Sequence, residues 1–160
     1  MAAATVYVET TVLSYVAARG VRDSIIAAHQ RITREWWDVD RHHYHLVVSA
    51  IVLRESAAGD PAVAAKRLAL ADGIELLEIS TGVETLAESL LARGLVPRTV
   101  PDDALHIAVA TVGAADYLLT WNLRHLAGAF ARRQIERELR RLGYEPPTIC
   151  TPEELKASHD

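Results

Sequence analysis

Glu9, Glu55, Asp103 and Asn122 stand at positions where an α/β chain can do chemistry. Glu9 follows the apolar run Val6-Tyr7-Val8 and precedes Thr10 and Thr11. β-Branched and aromatic residues suit a pleated, buried backbone, so the run reads as a short strand ending in an acid. Ligands of open parallel sheets sit outside the carboxyl ends of the strands, and an acid there can act on one. Glu9 reads equally as an early helical residue that complements the helix dipole, with Thr10 or Thr11 capping the helix Val12–Val16. Glu55 lies in the second turn of a helix that follows the strand Leu46–Ser49, with Ser49 as the N-cap. It faces either a site or solvent. Asn122 stands at the carboxyl end of the strand Asp116–Thr120, directly after Thr120-Trp121.

The stretch Val100–Ala110 carries the most information. Pro101 suits a first helical turn, and Asp102 and Asp103 favour a helix N-terminus. The remainder is apolar and reads as a buried helix. Asp103 shares a face with Ile107 and Ala110, and Asp102 with His106 and Val109. A carboxylate on such a face is costly unless a cation or hydrogen bonds compensate it. A divalent metal is one solution and a plain N-terminal cap is another. His106 reads as a hydrogen-bonded structural histidine in preference to a general base. Carboxylate oxygens converging without cysteine or histidine ligands suit Mg²⁺ or Mn²⁺. Such ions activate water and stabilise the charge that develops in phosphodiester cleavage.

Short apolar strands alternating with helices must position these groups. A helix over Ser24–Asp38, capped by Asp23, carries Ile25, Ile26, His29, Ile32, Trp36 and Trp37 on one face. The two tryptophans read as core or subunit-interface anchors. Asp60 and Pro61 start a further helix that Gly73 stops, and a third strand runs from Ile74 to Ile79. Ser80 or Thr81 caps a helix that Gly94 closes. The last long helix spans Ala127 to Leu142 and carries Arg132, Arg133, Arg137, Arg140 and Arg141. Its arginines read as a solvated face paired through Glu136 and Glu138, or as a positive surface that holds phosphates. Thr148–Cys150 is a short last strand, and Thr151-Pro152-Glu153-Glu154 a capping box. The pattern is that of an α/β protein, a three-layer α/β/α sandwich on a mostly parallel sheet of four to five strands.

Composition narrows the function classes. The 160 residues suit one domain with a substantial core, taken here as the whole chain, 1–160. The net charge of −4 argues against indiscriminate nucleic-acid binding. The one cysteine, Cys150, sits in an apolar run and reads as a core residue in a reducing compartment, so the cytoplasm is expected. No signal peptide and no membrane span are expected. His42, His43 and His45 precede a strand, hence lie at the sheet edge opposite a parallel-sheet site, which argues against a transition metal there. Neither a G-x-x-x-x-G-K-[ST] nor a G-x-G-x-x-G phosphate loop is present, and no nucleophile elbow.

The segments Val6–Val12, Ser49–Glu55, Asp103–Ala108 and Asp116–Asn122, in this order and spacing, resemble the PIN domain, and more closely the VapC-type toxins of bacterial and archaeal toxin–antitoxin systems. Each motif alone is loose, but together they cover nearly the whole chain. The resemblance implies a metal-dependent endoribonuclease with a compact α/β/α fold, often dimeric and held silent by a cognate antitoxin. It places Glu9, Glu55, Asp103 and Asn122 at the family's catalytic acid positions, with Glu9, Glu55 and Asp103 as ligands of Mg²⁺ or Mn²⁺. Thr10, Thr11, Thr120 and Asp102 are supporting residues, and Arg124, Arg132 and Arg133 are expected to hold RNA. Two positions depart from the commoner aspartates. Glu9 keeps the charge on a longer side chain, and Asn122 removes one negative charge, so attenuated activity is expected. The rival expectations are a PIN-like module that binds RNA or a protein without catalysis, and a phosphatase-like hydrolase. The latter is disfavoured because Thr10 and Thr11 follow Glu9 where a second aspartate is needed.

Overall fold

The computed structural model describes residues 2–156. Five strands form one all-parallel sheet: β1 (Thr5–Val8), β2 (His45–Val48), β3 (Glu75–Leu76), β4 (Tyr117–Leu119) and β5 (Thr148–Cys150). Their order across the sheet is β3-β2-β1-β4-β5. The helices are α1 (Thr10–Ala17), α2 (Ser24–Asp38), α3 (Ala50–Ser56), α4 (Pro61–Ala71), α5 (Thr81–Ala92), α6 (Pro101–Val112) and α7 (Ala129–Arg141). A parallel sheet covered by helices buries both strand faces, so its strands read as continuous apolar runs. Accordingly Val6, Tyr7, Val8, Val47, Val48, Leu118, Leu119 and Ile149 are fully buried. The α/β expectation holds, with the sheet wholly parallel. No described helix is long and apolar enough to cross a membrane.

The order β3-β2-β1-β4-β5 fixes where a site can lie. The chain builds outward from β1 through β2 to β3, then returns to the other side of β1 for β4 and β5. Strand order therefore reverses between β1 and β4, and the crevice at their carboxyl ends is the place where such sheets take ligands. Glu9 ends β1 there, its N–H donating to Leu119 O at 3.0 Å, and Thr120 follows β4.

Several local readings hold and several need correction. Asp23, Asp60 and Ser80 cap α2, α4 and α5 through their side chains, and Pro101 occupies the first turn of α6. Thr151 and Glu154 bond reciprocally as a capping box. Helix α1 is capped by Glu9 and not by a threonine, because its carboxylate accepts the Thr11 N–H at 3.0 Å. Ser49 holds the N-cap position of α3 but its hydroxyl bonds Tyr7 instead of the helix. The third strand is two residues long, not six, since beyond Leu77 N–H donating to Val48 O the edge has no partner strand. Trp36 and Trp37 are buried within one chain, so they are core residues and not interface anchors. Burial on α2 starts only at Gln30, which leaves Ile25 and Ile26 exposed. The last helix does not begin at Ala127. A π turn over Leu123–Ala127 and Gly128 come first. On α7, Glu138 pairs with Arg141 and Arg93, whereas Glu136 makes no ion pair among the described residues.

Candidate metal centre

Glu9 is 4% exposed, yet among the described residues it has neither lysine nor arginine within ion-pair distance. Three hydrogen bonds hold it instead. Its Oε1 accepts the Thr11 hydroxyl at 2.5 Å and the Thr120 hydroxyl at 2.5 Å, and its Oε2 accepts the Thr11 N–H. A carboxylate offers about four lone-pair sites, so one remains on Oε2. Thr10, next in the chain, turns its hydroxyl to Glu55 Oε1 at 2.7 Å. That oxygen also accepts the His106 Nε2–H at 2.6 Å, leaving Glu55 Oε2 without a donor among the described residues. Burial pushes the Glu55 carboxyl up, but the His106 and Thr10 bonds, with Arg54 nearby, outweigh it and hold the group below the usual carboxylate range.

Asp103 and Asn122 meet on the other side of the crevice. Asp103 Oδ2 accepts the Asn122 Nδ2–H at 3.1 Å and His125 Nδ1–H at 2.9 Å, and its Oδ1 has no donor among the described residues. Asn122 Oδ1 accepts the His125 backbone N–H at 3.0 Å, so the amide caps the π turn as well. The Asn122 N–H donates to Thr120 Oγ1 at 3.0 Å, and through that hydroxyl the Asp103 side joins Glu9. Trp121 pins the segment from behind: its indole N–H donates to Thr33 at 2.7 Å, its ring stacks on His29 at 4.1 Å, and its backbone N–H donates to Thr11. Single-turn π segments recur at functional sites. This one closes only on glycine, because a Cβ at Gly128 would lie 2.1 Å from Leu123 O.

Glu9, Glu55, Asp103, Asn122 and the three threonines therefore line one edge in two hydrogen-bonded groups, Glu9–Thr11–Thr120–Asn122–Asp103 and Thr10–Glu55. Asp102 is different: it points outward to Arg54 at 2.9 Å, an exposed pair on the rim. Of the arginines, Arg124 and Arg133 are exposed without a carboxylate partner among the described residues. Arg132 is held by Ile149 O and Glu154. One donor atom from each of Glu9, Glu55 and His106 lies within 4.8 Å of the other two. His106 is fully buried and bonded at both ring nitrogens, to Glu55 and to Tyr7 OH at 2.8 Å, as a structural histidine should be. His125 is the residue that sequence reasoning missed. Its only signal was its place three residues after Asn122, since an i+3 backbone N–H is what an Asx cap takes. The chain matches no protein-family model and no curated protein.

Proposed function

We propose that this chain is a metal-dependent endoribonuclease of the PIN kind, the toxin component of a toxin–antitoxin pair, working in the cytoplasm. The observation that carries the proposal is the convergence of Glu9 and Glu55 at the switch point, neither ion-paired to a lysine or arginine among the described residues and each with an unused acceptor. Such charge at low exposure calls for a cation. The open acceptors on Glu9 Oε2 and Glu55 Oε2 are oxygens of the kind that Mg²⁺ or Mn²⁺ takes, and Asp103, which stands outside the 4.8 Å cluster, would join them from across the crevice through its Oδ1. A bound ion of this class lowers the pKa of water and neutralises charge on the transferring phosphate.

The chain's own residues do the rest. The hydroxyls of Thr10, Thr11 and Thr120 hold the two glutamates in fixed rotamers, so the acids need no reorganisation when a cation arrives. Asn122, in place of a fourth acid, holds Asp103 Oδ2 together with His125 and so leaves Oδ1 as the uncommitted oxygen. Arg124 and Arg133 are free to contact RNA phosphates. The antitoxin and a second copy of the chain follow from the resemblance alone. The exposed Ile25, Ile26, Leu123 and Phe130 offer apolar surface for them.

Incubation with single-stranded RNA and Mn²⁺ tests the reading. Wild type is expected to cleave, and Asp103→Asn to fold normally and not cleave. Equal cleavage by both would sink the assignment. RNA binding without cleavage by wild type would leave the binding-module reading, which the amide at Asn122 favours.

A further inference from the structure

We infer that His106 is a positioning residue for Glu55, the last link of a buried relay running Ser49–Tyr7–His106–Glu55, and not a ligand of the cation. This deepens the metal-centre reading and rests on it. The relay is continuous: Ser49 Oγ to Tyr7 OH is 2.7 Å, Tyr7 OH to His106 Nδ1 2.8 Å, and His106 Nε2 to Glu55 Oε1 2.6 Å. Ser49, Tyr7 and His106 are all fully buried.

Proton counting fixes the donors. An ionised carboxylate only accepts, so the proton between His106 and Glu55 belongs to Nε2. With a neutral ring, Nδ1 is then an acceptor. It takes the Tyr7 O–H, and Ser49 must donate to the Tyr7 oxygen. With an imidazolium, Nδ1–H donates to Tyr7, whose proton turns to Ser49. The Tyr7 phenol stays protonated throughout, because burial holds its pKa far above the ordinary value. In both states Nε2–H remains on Glu55, so Nε2 has no lone pair for a metal, while Nδ1 faces Tyr7 inside the core. His106 falls within ligand distance of Glu9 and Glu55 because it touches Glu55. The consequence for the site is directional. His106 and the Thr10 hydroxyl occupy Glu55 Oε1, which leaves Oε2 as the atom presented to a cation. Outer partners that fix a ligand in this way typically carry about 10–100-fold in metal affinity.

Pulsed EPR of the Mn²⁺-loaded protein, with Mn²⁺ titrations of Tyr7→Phe, His106→Gln and His106→Leu, tests this. The expected spectrum lacks the coupling of a directly bonded imidazole nitrogen. Tyr7→Phe, which alters no ligand, is expected to weaken Mn²⁺ about tenfold. His106→Gln, which keeps an N–H for Glu55, should bind more tightly than His106→Leu. A bonded nitrogen signal that disappears in His106→Gln would overturn the inference, and so would unchanged affinity in Tyr7→Phe and His106→Gln alike. If wild type binds no Mn²⁺, the metal reading fails on its own. The relay is then read from ¹⁵N shifts of the metal-free His106 ring, where a protonated Nε2 is expected and an unprotonated Nε2 would refute it.

Discussion

Glu55 and Asp103 are each held by a histidine, yet the two pairs are built in opposite ways. The Glu55–His106 pair is anchored in the core: the His106 side chain is 1% exposed and backed by Tyr7 and Ser49, while Glu55 is 31% exposed. The Asp103–His125 pair sits at the surface of the crevice, at 16% and 21%, and hangs on a five-residue π turn. In the first pair the imidazole is a fixed part of the core. In the second, both partners can adjust to what enters. A buried hydrogen-bonded network is costly to break, whereas a partly solvated ion pair contributes little to stability. The comparison teaches that one edge can hold its acids in two ways, one rigid and one adaptable.

Catalysis gives the largest expected effect. Glu55→Gln keeps the shape of the buried pair but removes its charge, and we expect cleavage to fall by at least about 100-fold, beyond the loss typical of an outer partner. His125→Ala should cost less, because Asn122 still holds Asp103. A gel assay on labelled RNA ranks the two, and a larger loss in His125→Ala would reverse the comparison. Stability should separate the pairs next. His106→Leu removes two buried hydrogen bonds, although Tyr7 keeps Ser49 and Glu55 Oε1 keeps Thr10, and is expected to cost about 1–3 kcal/mol in urea unfolding. His125→Ala is expected to cost under about 1 kcal/mol. Equal costs would mean that burial does not distinguish them.

Gly128→Ala sharpens the same point. A methyl group would meet Leu123 O, so the π turn must open. The expected loss is about 1–3 kcal/mol, with chemical-shift changes confined to Asn122, His125 and Asp103. Shifts spreading to His106 would show that the two pairs are coupled. The smallest effect is in pH. Burial alone lowers the His106 pKa, but Glu55 bonding and the charges of Glu9, Glu55 and Asp103 carry it above the ordinary value. Its stabilisation is therefore complete below about pH 6.5 and is lost as the pH rises through the folded value. Glu55 is lowered, so its share is present above about pH 4.3 and is lost as the pH falls through its folded value. The melting temperature of metal-free protein should decline on the alkaline side, and His106→Gln should flatten that decline. An unchanged slope would remove His106 as its source.

Much of this edge was legible because parallel-sheet physics ties sequence to place. An apolar run followed by an acid puts Glu9 at a carboxyl end, and proline with two aspartates opens α6. Legibility failed where side chains compete for a role. Glu9 took the cap of α1 from the threonines, since its carboxylate reaches the Thr11 N–H. Ser49 gave up its cap because Tyr7 needed a buried partner. The π turn and His125 were invisible because their geometry depends on Gly128 meeting Leu123 at short range, which no periodicity records. Its place before Ala104-Leu105-His106 singles out Asp103 over Asp102, and Asp102 pairs with Arg54 on the rim.

The central claim is that Glu9, Glu55 and Asp103 present open oxygens to one cation site. Calorimetric titration of Mn²⁺ into metal-free wild type and Glu9→Gln tests it most directly. Saturable binding in wild type that is lost in the variant is the expected result. Identical isotherms for the two proteins, whether both bind or neither does, would contradict it.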